Sequence, residues 1–480
     1  MATITNDKLT LTIDERGNIA SIYNKASGVE LIDTPEYFFR LIFKDERIEE
    51  NCIDGCGQEY TITADGSSIT VSAQELKFKD KMLPIAVSCT FTLQDDEILA
   101  SARIENNADV EIMEWVFPMV RGIRSISADP ARDVLYVPSD LGFRYENPRE
   151  LDYNAVMGTR IYEGPEHMHT NFYRTYPGRA CMQWFELDGD RAGLYMASYD
   201  DTQQSTALAF EKKTADKTLA FSFIKYPFLK KGGIFETMPY CISLHGGDWH
   251  AGAKKYRAWI ESTGWKAPVR PQWMDEFTGW LRIIMKNQFG EINFHYSDME
   301  RLFNQVRGAG MNTLFLLGWI PGGFSRLWPE YEADDELGGE EELKEQIRRI
   351  HEAGGKVFMF MSYYIVDPDT DFHQKVGRRI AIKDMWGRER TFCETYFRHG
   401  TWRKVMNGNK PMVAMCPSTP EWQEKMIESA DRILSYGADG VLYDIGGMGP
   451  VFCHDSRHPH ANPSLAFATK RQNYRALREN

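Results

Sequence analysis

The hydrophobic period changes once along this chain, near residue 265, and that change limits the folds open to it. Before it, apolar and polar residues alternate. "KLTLTIDERGNIASIYNKASGVELI" sets Leu9, Leu11 and Ile13 at period two, turns at Glu15-Arg16-Gly17, and resumes with Ile19 and Ile22, which is a hairpin pattern. "YTITADGSSITVSA", "AVSCTFTLQDDEILASARIEN" and "TLAFSFIKYPF" repeat it. Short alternating strands between turn residues predict an antiparallel β-sandwich over residues 1–265. The first convincing helix is "DWHAGAKKYRAWIESTGW", with Ala253, Tyr256 and Ile260 at helical spacing, and "KAPVRPQW" reads as a linker.

After the linker, strands and helices alternate. "EFTGWLRIIMK", "NTLFLLGW", "KVFMFMSYY" and "GVLYDI" read as strands. Between them lie "SDMERLFNQVRGAG", with Met299, Leu302, Phe303 and Val306 on one face, and "EEELKEQIRRIHEAGG", with Leu343, Ile347 and Ile350. A third helix, "STPEWQEKMIESADRILSYG", starts with an expected capping box of Ser418 and Glu421. Near-continuous apolar strands joined by helices mean a parallel sheet. Residues 266–480 are therefore expected to form a (β/α)8-type barrel unit, of which about the first half is present.

Such barrels hold ligands at the C-terminal ends of their strands. Strand one ends at Lys286, strand two at "GWIPGGF" with Trp319, and strand three at "SYYIVDPD" with Tyr363 and Tyr364. Strand four ends at Asp444, followed by Gly446 and Gly447, and runs into "CHDSRHPHANP" with His454, Asp455, His458 and His460. "MVAMCPS" places Cys416 just before the third helix. A carboxylate ending a buried strand is costly unless it is paired or used. Aromatics, carboxylates and histidines on one rim suit a sugar: flat rings stack on pyranose faces while polar groups bond hydroxyls. Asp444 is the candidate catalytic residue. Lys286, Trp319, Tyr363, Tyr364, Cys416, His454, Asp455 and His458 are the candidate substrate contacts. The bland alternatives stay open: a capping or salt-bridged Asp444, core aromatics, and a plain loop at "CHDSRHPH". The histidine-rich loop also admits a zinc-dependent enzyme, but its spacing is not that of two ligands on a helix, and no metal and no cofactor are expected.

Net charge is −13, with 42% apolar and 26% charged residues among 480. The charge argues against nucleic acid or an anionic membrane as partner. There is no G-x-G-x-x-G after a strand, no Walker lysine and no G-x-S-x-G, which disfavours nucleotide enzymes and α/β-hydrolases. "MATITNDKLTLTID" has neither the basic nor the apolar region of a signal peptide. The eight cysteines are scattered without a C-x-x-C pair, so reduced thiols in a cytoplasmic protein are expected, with secretion after signal removal as the alternative.

"GWIPGGFSRLWPEYEADDELGGEEELKEQIRRIHEAGGKVFMFMS" and "CPSTPEWQEKMIESADRILSYGADGVLYDIGG" resemble the barrel of the superfamily of α-galactosidases, α-glucosidases and endo-α-N-acetylgalactosaminidases. The likeness is nearest to bacterial glycosidase-like proteins of that group. The resemblance implies a galactose-mutarotase-like supersandwich before the barrel, and an aspartate nucleophile at the end of strand four, which here is Asp444. It implies a retaining α-glycoside hydrolase acting on an oligosaccharide or glycoconjugate, without a cofactor. The family's general acid comes from a later strand. The chain is accordingly expected to be truncated within the barrel, with strands five to eight and the acid beyond Asn480, and Glu394 and Asp455 as the substitutes at hand. A catalytically silent carbohydrate-binding protein or an incomplete fragment of a glycosidase is the alternative.

Overall fold

The computed structural model describes residues 1–44, 51–151, 169–202, 204–213, 215–267, 269–288, 290–394, 410–444 and 452–467. Gly446 and Gly447 lie outside the described residues, as does the side chain of Glu394. Contacts divide the chain into two compact units, Met1–Lys266 and Ala267–Asn480.

The first unit is built on two large antiparallel sheets, one of ten strands and one of six. Alternation shapes its outer strands. Along Ile85–Gln94 and Glu97–Asn106 every second residue is buried, and the two strands pair in register from Ile85↔Asn106 to Gln94↔Glu97. Between the sheets lies one core that includes Phe38, Phe39, Phe91, Trp115, Phe117 and Phe223. Strands Gly193–Ser198 and Tyr240–His245 are buried on both faces. The reason lies in the helix Trp249–Ser262: Tyr256, Ala253, Trp259 and Ile260 pack against Trp184, Tyr195, Ala197 and Cys241. The predicted first hairpin is present as Leu9–Ile13 and Ile19–Asn24, with Gly17 at φ +77° in the turn. That backbone favours glycine, and a Cβ there would also meet the Tyr60 ring at 2.6 Å.

The second unit holds a four-stranded parallel sheet in sequence order: Trp280–Ile284, Thr313–Leu317, Lys356–Ser362 and Gly440–Asp444. Helices Met299–Gly308, Gly339–Glu352 and Pro420–Ser435 connect or flank the strands. Each buries one stripe: Met299, Leu302, Phe303 and Val306 on the first, Leu343, Ile347 and Ile350 on the second, Trp422, Met426, Ala430 and Ile433 on the third. All five residues of Thr313–Leu317 are buried, as a parallel strand covered on both faces requires.

One local expectation is corrected and one apolar run is placed. The run "MVAMC", whose place was open between a fifth barrel strand and none, is not a barrel strand. Lys410–Ala414 pairs antiparallel with Thr391–Glu394 and Ile365–Val366 in a separate three-stranded sheet, so the parallel strands among the described residues number four. The capping box does not form either. Thr419 is the N-cap of Pro420–Ser435 with no side-chain cap bond. The Ser418 hydroxyl instead donates to the Ala466 carbonyl at 2.9 Å, and Glu421 pairs with Arg379.

Candidate functional site

The C-terminal ends of the parallel strands gather the residues singled out by the sequence. Register fixes Ser362 beside Asp444 and Ile284 beside Leu317. The Tyr363 backbone N–H donates to the Asp444 carbonyl at 2.9 Å, so the last residue of strand four is held by the residue after strand three. Asp444 is exposed, whereas Ser362 beside it is buried. The Tyr331 hydroxyl accepts the Ser362 N–H at 2.6 Å. Burial pushes the Tyr331 phenol well above its usual range, and the Asp444 charge pushes the same way. A neutral phenol thus lies within the electrostatic reach of the Asp444 carboxylate.

The loop after strand two explains the glycines of "GWIPGGF". Gly318 (φ +59°) and Gly323 (φ +68°) lie so close to strand one that a Cβ would meet the Lys286 carbonyl oxygen at 2.2 Å and the Asn287 carbonyl oxygen at 2.4 Å. The loop is tied there: Lys286 N–H donates to Gly318 O at 3.1 Å, and Phe324 N–H to Lys286 O at 2.9 Å. Ser325 (φ 67°) and Leu327 (φ 56°) also occupy the left-handed region without being glycine. The Leu327 N–H is held by the fully buried Asp367 carboxylate at 2.9 Å. Such conformations persist only where the surroundings over-determine them.

This folded-back loop alters the expected roles. Trp319, read as a stacking platform, is 1% exposed. Its indole N–H donates to the Phe360 carbonyl at 3.0 Å and its ring stacks on Tyr331 at 6.1 Å. Tyr363 and Tyr364 are equally buried, and the Tyr363 carbonyl accepts the Trp422 indole N–H at 3.1 Å. These three aromatics are core residues under the strand ends. Lys286 is buried too: its ammonium donates to Asp334 at 2.9 Å and also to Glu336. Burial works against its charge, but those two carboxylates outweigh it, and its pKa is raised.

A second group assembles from two distant segments. Cys416, Asp455 and His458 come together with Cys453 and His460, while His454 is anchored nearby through its N–H on Lys383 O at 2.8 Å. Asp455 accepts a two-pronged bond from Arg457, at 2.8 and 2.5 Å, which holds its carboxyl well below the usual range. Asp455 therefore stays ionised, which is wrong for a general acid. Cys416 and Cys453 are fully buried. The hydrogen bond between their sulfurs raises the pKa of Cys416 and lowers that of Cys453. Cys416, expected as a substrate contact, lies buried beside Cys453 and His460, a grouping the sequence does not predict. The available signal was a Cys-Pro and a Cys-x4-His-x-His, 37 residues apart.

A cavity of about 380 Å³ lies elsewhere, in the first unit, walled by Tyr136, Phe143, Trp184 and Trp249. It holds none of the residues expected to carry chemistry. No helix among the described residues is long and apolar enough to cross a membrane.

A family model described as "Domain of unknown function (DUF6259)" matches residues 236–470. No curated protein matches the chain. Among solved structures, the chain is similar to the α-N-acetylgalactosaminidase NagBb from Bifidobacterium bifidum in its GalNAc complex. The TM-score is 0.76 at 16% identity, covering 100% of this chain and 75% of that one. The same enzyme in its Gal-NHAc-DNJ complex gives a TM-score of 0.75 at 16% identity, covering 99% and 74%. At this identity the likeness shows the fold alone: an antiparallel β-sandwich followed by an α/β unit on a parallel sheet.

Proposed function

We propose that this protein is a retaining glycoside hydrolase specific for α-linked sugars, with Asp444 as its nucleophile. The observation that carries the reading is the position of Asp444: an exposed carboxylate at the C-terminal end of a parallel strand in a glycosidase-type fold. Two other acids of this unit serve the scaffold. Asp334 holds Lys286 and the Glu336 N–H, and Asp367 holds the Leu327 and Asp369 N–H groups. The likeness to an enzyme crystallised with GalNAc supports an α-linked galactose-type sugar, with or without the N-acetyl group, as the substrate.

In the reaction, an Asp444 oxygen attacks the anomeric carbon and forms a glycosyl ester as the bond to the leaving oxygen breaks. That oxygen takes a proton from a second carboxyl. Water then attacks the same carbon, releases the sugar with its configuration retained, and returns its proton to that second group.

Aryl α-galactosides and α-N-acetylgalactosaminides test the proposal, because a good leaving group lessens the demand on the acid. Asp444→Asn should lower turnover by about 10³-fold or more while leaving the fold intact. Asp444→Gly with azide should yield a glycosyl azide of inverted configuration, because the small anion replaces the missing nucleophile. Full activity in Asp444→Asn refutes the assignment. Aryl glycosides left uncut by the unmodified protein, although the sugar binds, refute catalysis and favour a carbohydrate-binding protein.

A further inference from the structure

We propose that Cys416, Cys453, His458 and His460 form a structural zinc site that clamps the segment after the Asp444 strand to the base of the helix Pro420–Ser435. The four ligand atoms all lie within 4.8 Å of one another. A tetrahedral zinc bound by two sulfurs and two nitrogens separates its ligands by about 3.3–3.8 Å, as follows from the usual bond lengths. Closing around the ion thus needs side-chain shifts of about 1 Å or less.

The histidines are arranged for it. The His458 Nε2–H donates to the Arg379 carbonyl at 3.1 Å, with the Asp455 carboxylate 3.7 Å from the same nitrogen. That fixes the tautomer and leaves the Nδ1 lone pair, which lies 3.2 Å from the Cys453 sulfur. An outer carbonyl or carboxylate on the far nitrogen is the usual support of a metal-binding imidazole. Both ring nitrogens of His460 are shut off from water and make no hydrogen bond of good geometry, although the ring approaches the Cys453 sulfur. A buried imidazole so poorly satisfied is costly, and a metal ligated by one of its nitrogens removes part of that cost. A tight turn around Pro459, with the His460 N–H on the His458 carbonyl at 2.8 Å, brings the two rings 6.0 Å apart.

The backbone holds the sulfurs in place. The Cys416 N–H donates to Ile380 O at 2.9 Å, and the Cys453 N–H to Pro463 O at 3.1 Å. Two sulfurs and two imidazoles favour zinc over calcium or magnesium, which take oxygen ligands. With four protein ligands the ion has no open position, so the site is structural and separate from the glycosidase reading.

The full-length protein, purified without a metal-affinity tag or chelator, should contain about one zinc per chain by elemental analysis. Replacement by Co(II) should give the d–d bands of tetrahedral cobalt and a thiolate charge-transfer band. Cys416→Ser/Cys453→Ser should lose the zinc and the charge-transfer band. His460→Ala, which keeps both thiolates, should bind zinc at least about tenfold more weakly. Removing zinc should lower the thermal midpoint of the unmodified chain and leave that of the double variant unchanged. Substoichiometric zinc after reconstitution of the reduced protein overturns the proposal, as does zinc content unaltered in the double variant. A Cys416–Cys453 disulfide in protein prepared under reducing conditions overturns it as well.

Discussion

Replacing Lys286 with methionine separates two accounts of that residue. As a substrate contact, its loss should weaken binding and leave stability unchanged. The structure instead places its ammonium between Asp334 at 2.9 Å and Glu336, with Lys286 itself 5% exposed. Methionine keeps the length and the apolar stem and removes only the charge. Glu336, whose side chain is 68% exposed, turns to water at little cost. Asp334, with a side chain 4% exposed, cannot; it retains one bond, from the Glu336 N–H at 2.9 Å. Removing one member of a buried pair costs about 3–5 kcal/mol. The surviving hydrogen bond sets the expectation for Lys286→Met at about 3 kcal/mol. Asp334→Asn alone should cost about 2 kcal/mol, since Glu336 still faces the ammonium. The double variant should be more stable than the sum of the two by at least about 1 kcal/mol. Urea denaturation followed by tryptophan fluorescence and circular dichroism measures all four proteins. A cost below about 1 kcal/mol for Lys286→Met, or strict additivity, refutes the argument. Lost ligand binding at full stability would return Lys286 to the substrate.

Glu114 is mostly buried, and burial raises its pKa to about 7. A carboxyl raised in the folded state adds stability below its unfolded value, and that stability is lost as pH climbs through 7, so Glu114→Gln should gain on the unmodified chain by about 2 kcal/mol between pH 5 and pH 8. Parallel denaturation curves at the two pH values would refute it. Gly440 begins the strand that ends in Asp444, and a Cβ there would meet the Phe358 ring at 2.3 Å. Gly440→Ala should cost about 2 kcal/mol, and adding Phe358→Leu should recover most of it; an unshifted thermal midpoint in the single variant would count against the contact.

The parallel sheet was legible because its strands and helices carry their periods locally. Met299, Leu302, Phe303 and Val306 can share a face in only one kind of helix, and that face is buried. "MVAMC" stayed open to the same reasoning because a short apolar run does not reveal the direction of its neighbour. Ser418 and Glu421 had the right spacing for a capping box, but each found a stronger partner outside the helix. The rim aromatics were open between core and contact for a related reason. Trp319, Tyr363 and Tyr364 follow strand ends, but the burial of Trp319 comes with a loop tied closely to Lys286, and Tyr363 and Tyr364 meet Trp422 and Phe392 from later segments, approaches no local pattern reports. The histidine-rich half of the sulfur–imidazole cluster was legible as a possible ligand loop, but its pairing with Cys416 was not, because the two halves meet only after the chain has folded.

The strand order of the ten-stranded sheet has a consequence for the order of events in synthesis. Glu97–Asn106 is flanked on one side by Ile85–Gln94, its hairpin partner, and on the other by Tyr240–His245, with Leu99 opposite Cys241. A ribosome therefore delivers well over a hundred further residues before one edge of that strand is closed. Pairings so distant in sequence make folding slow, and an open apolar edge during the wait invites association with other chains. The β-sandwich precedes the linker, but it cannot be completed until translation nears that linker, so it becomes free to close only as the second unit begins to emerge.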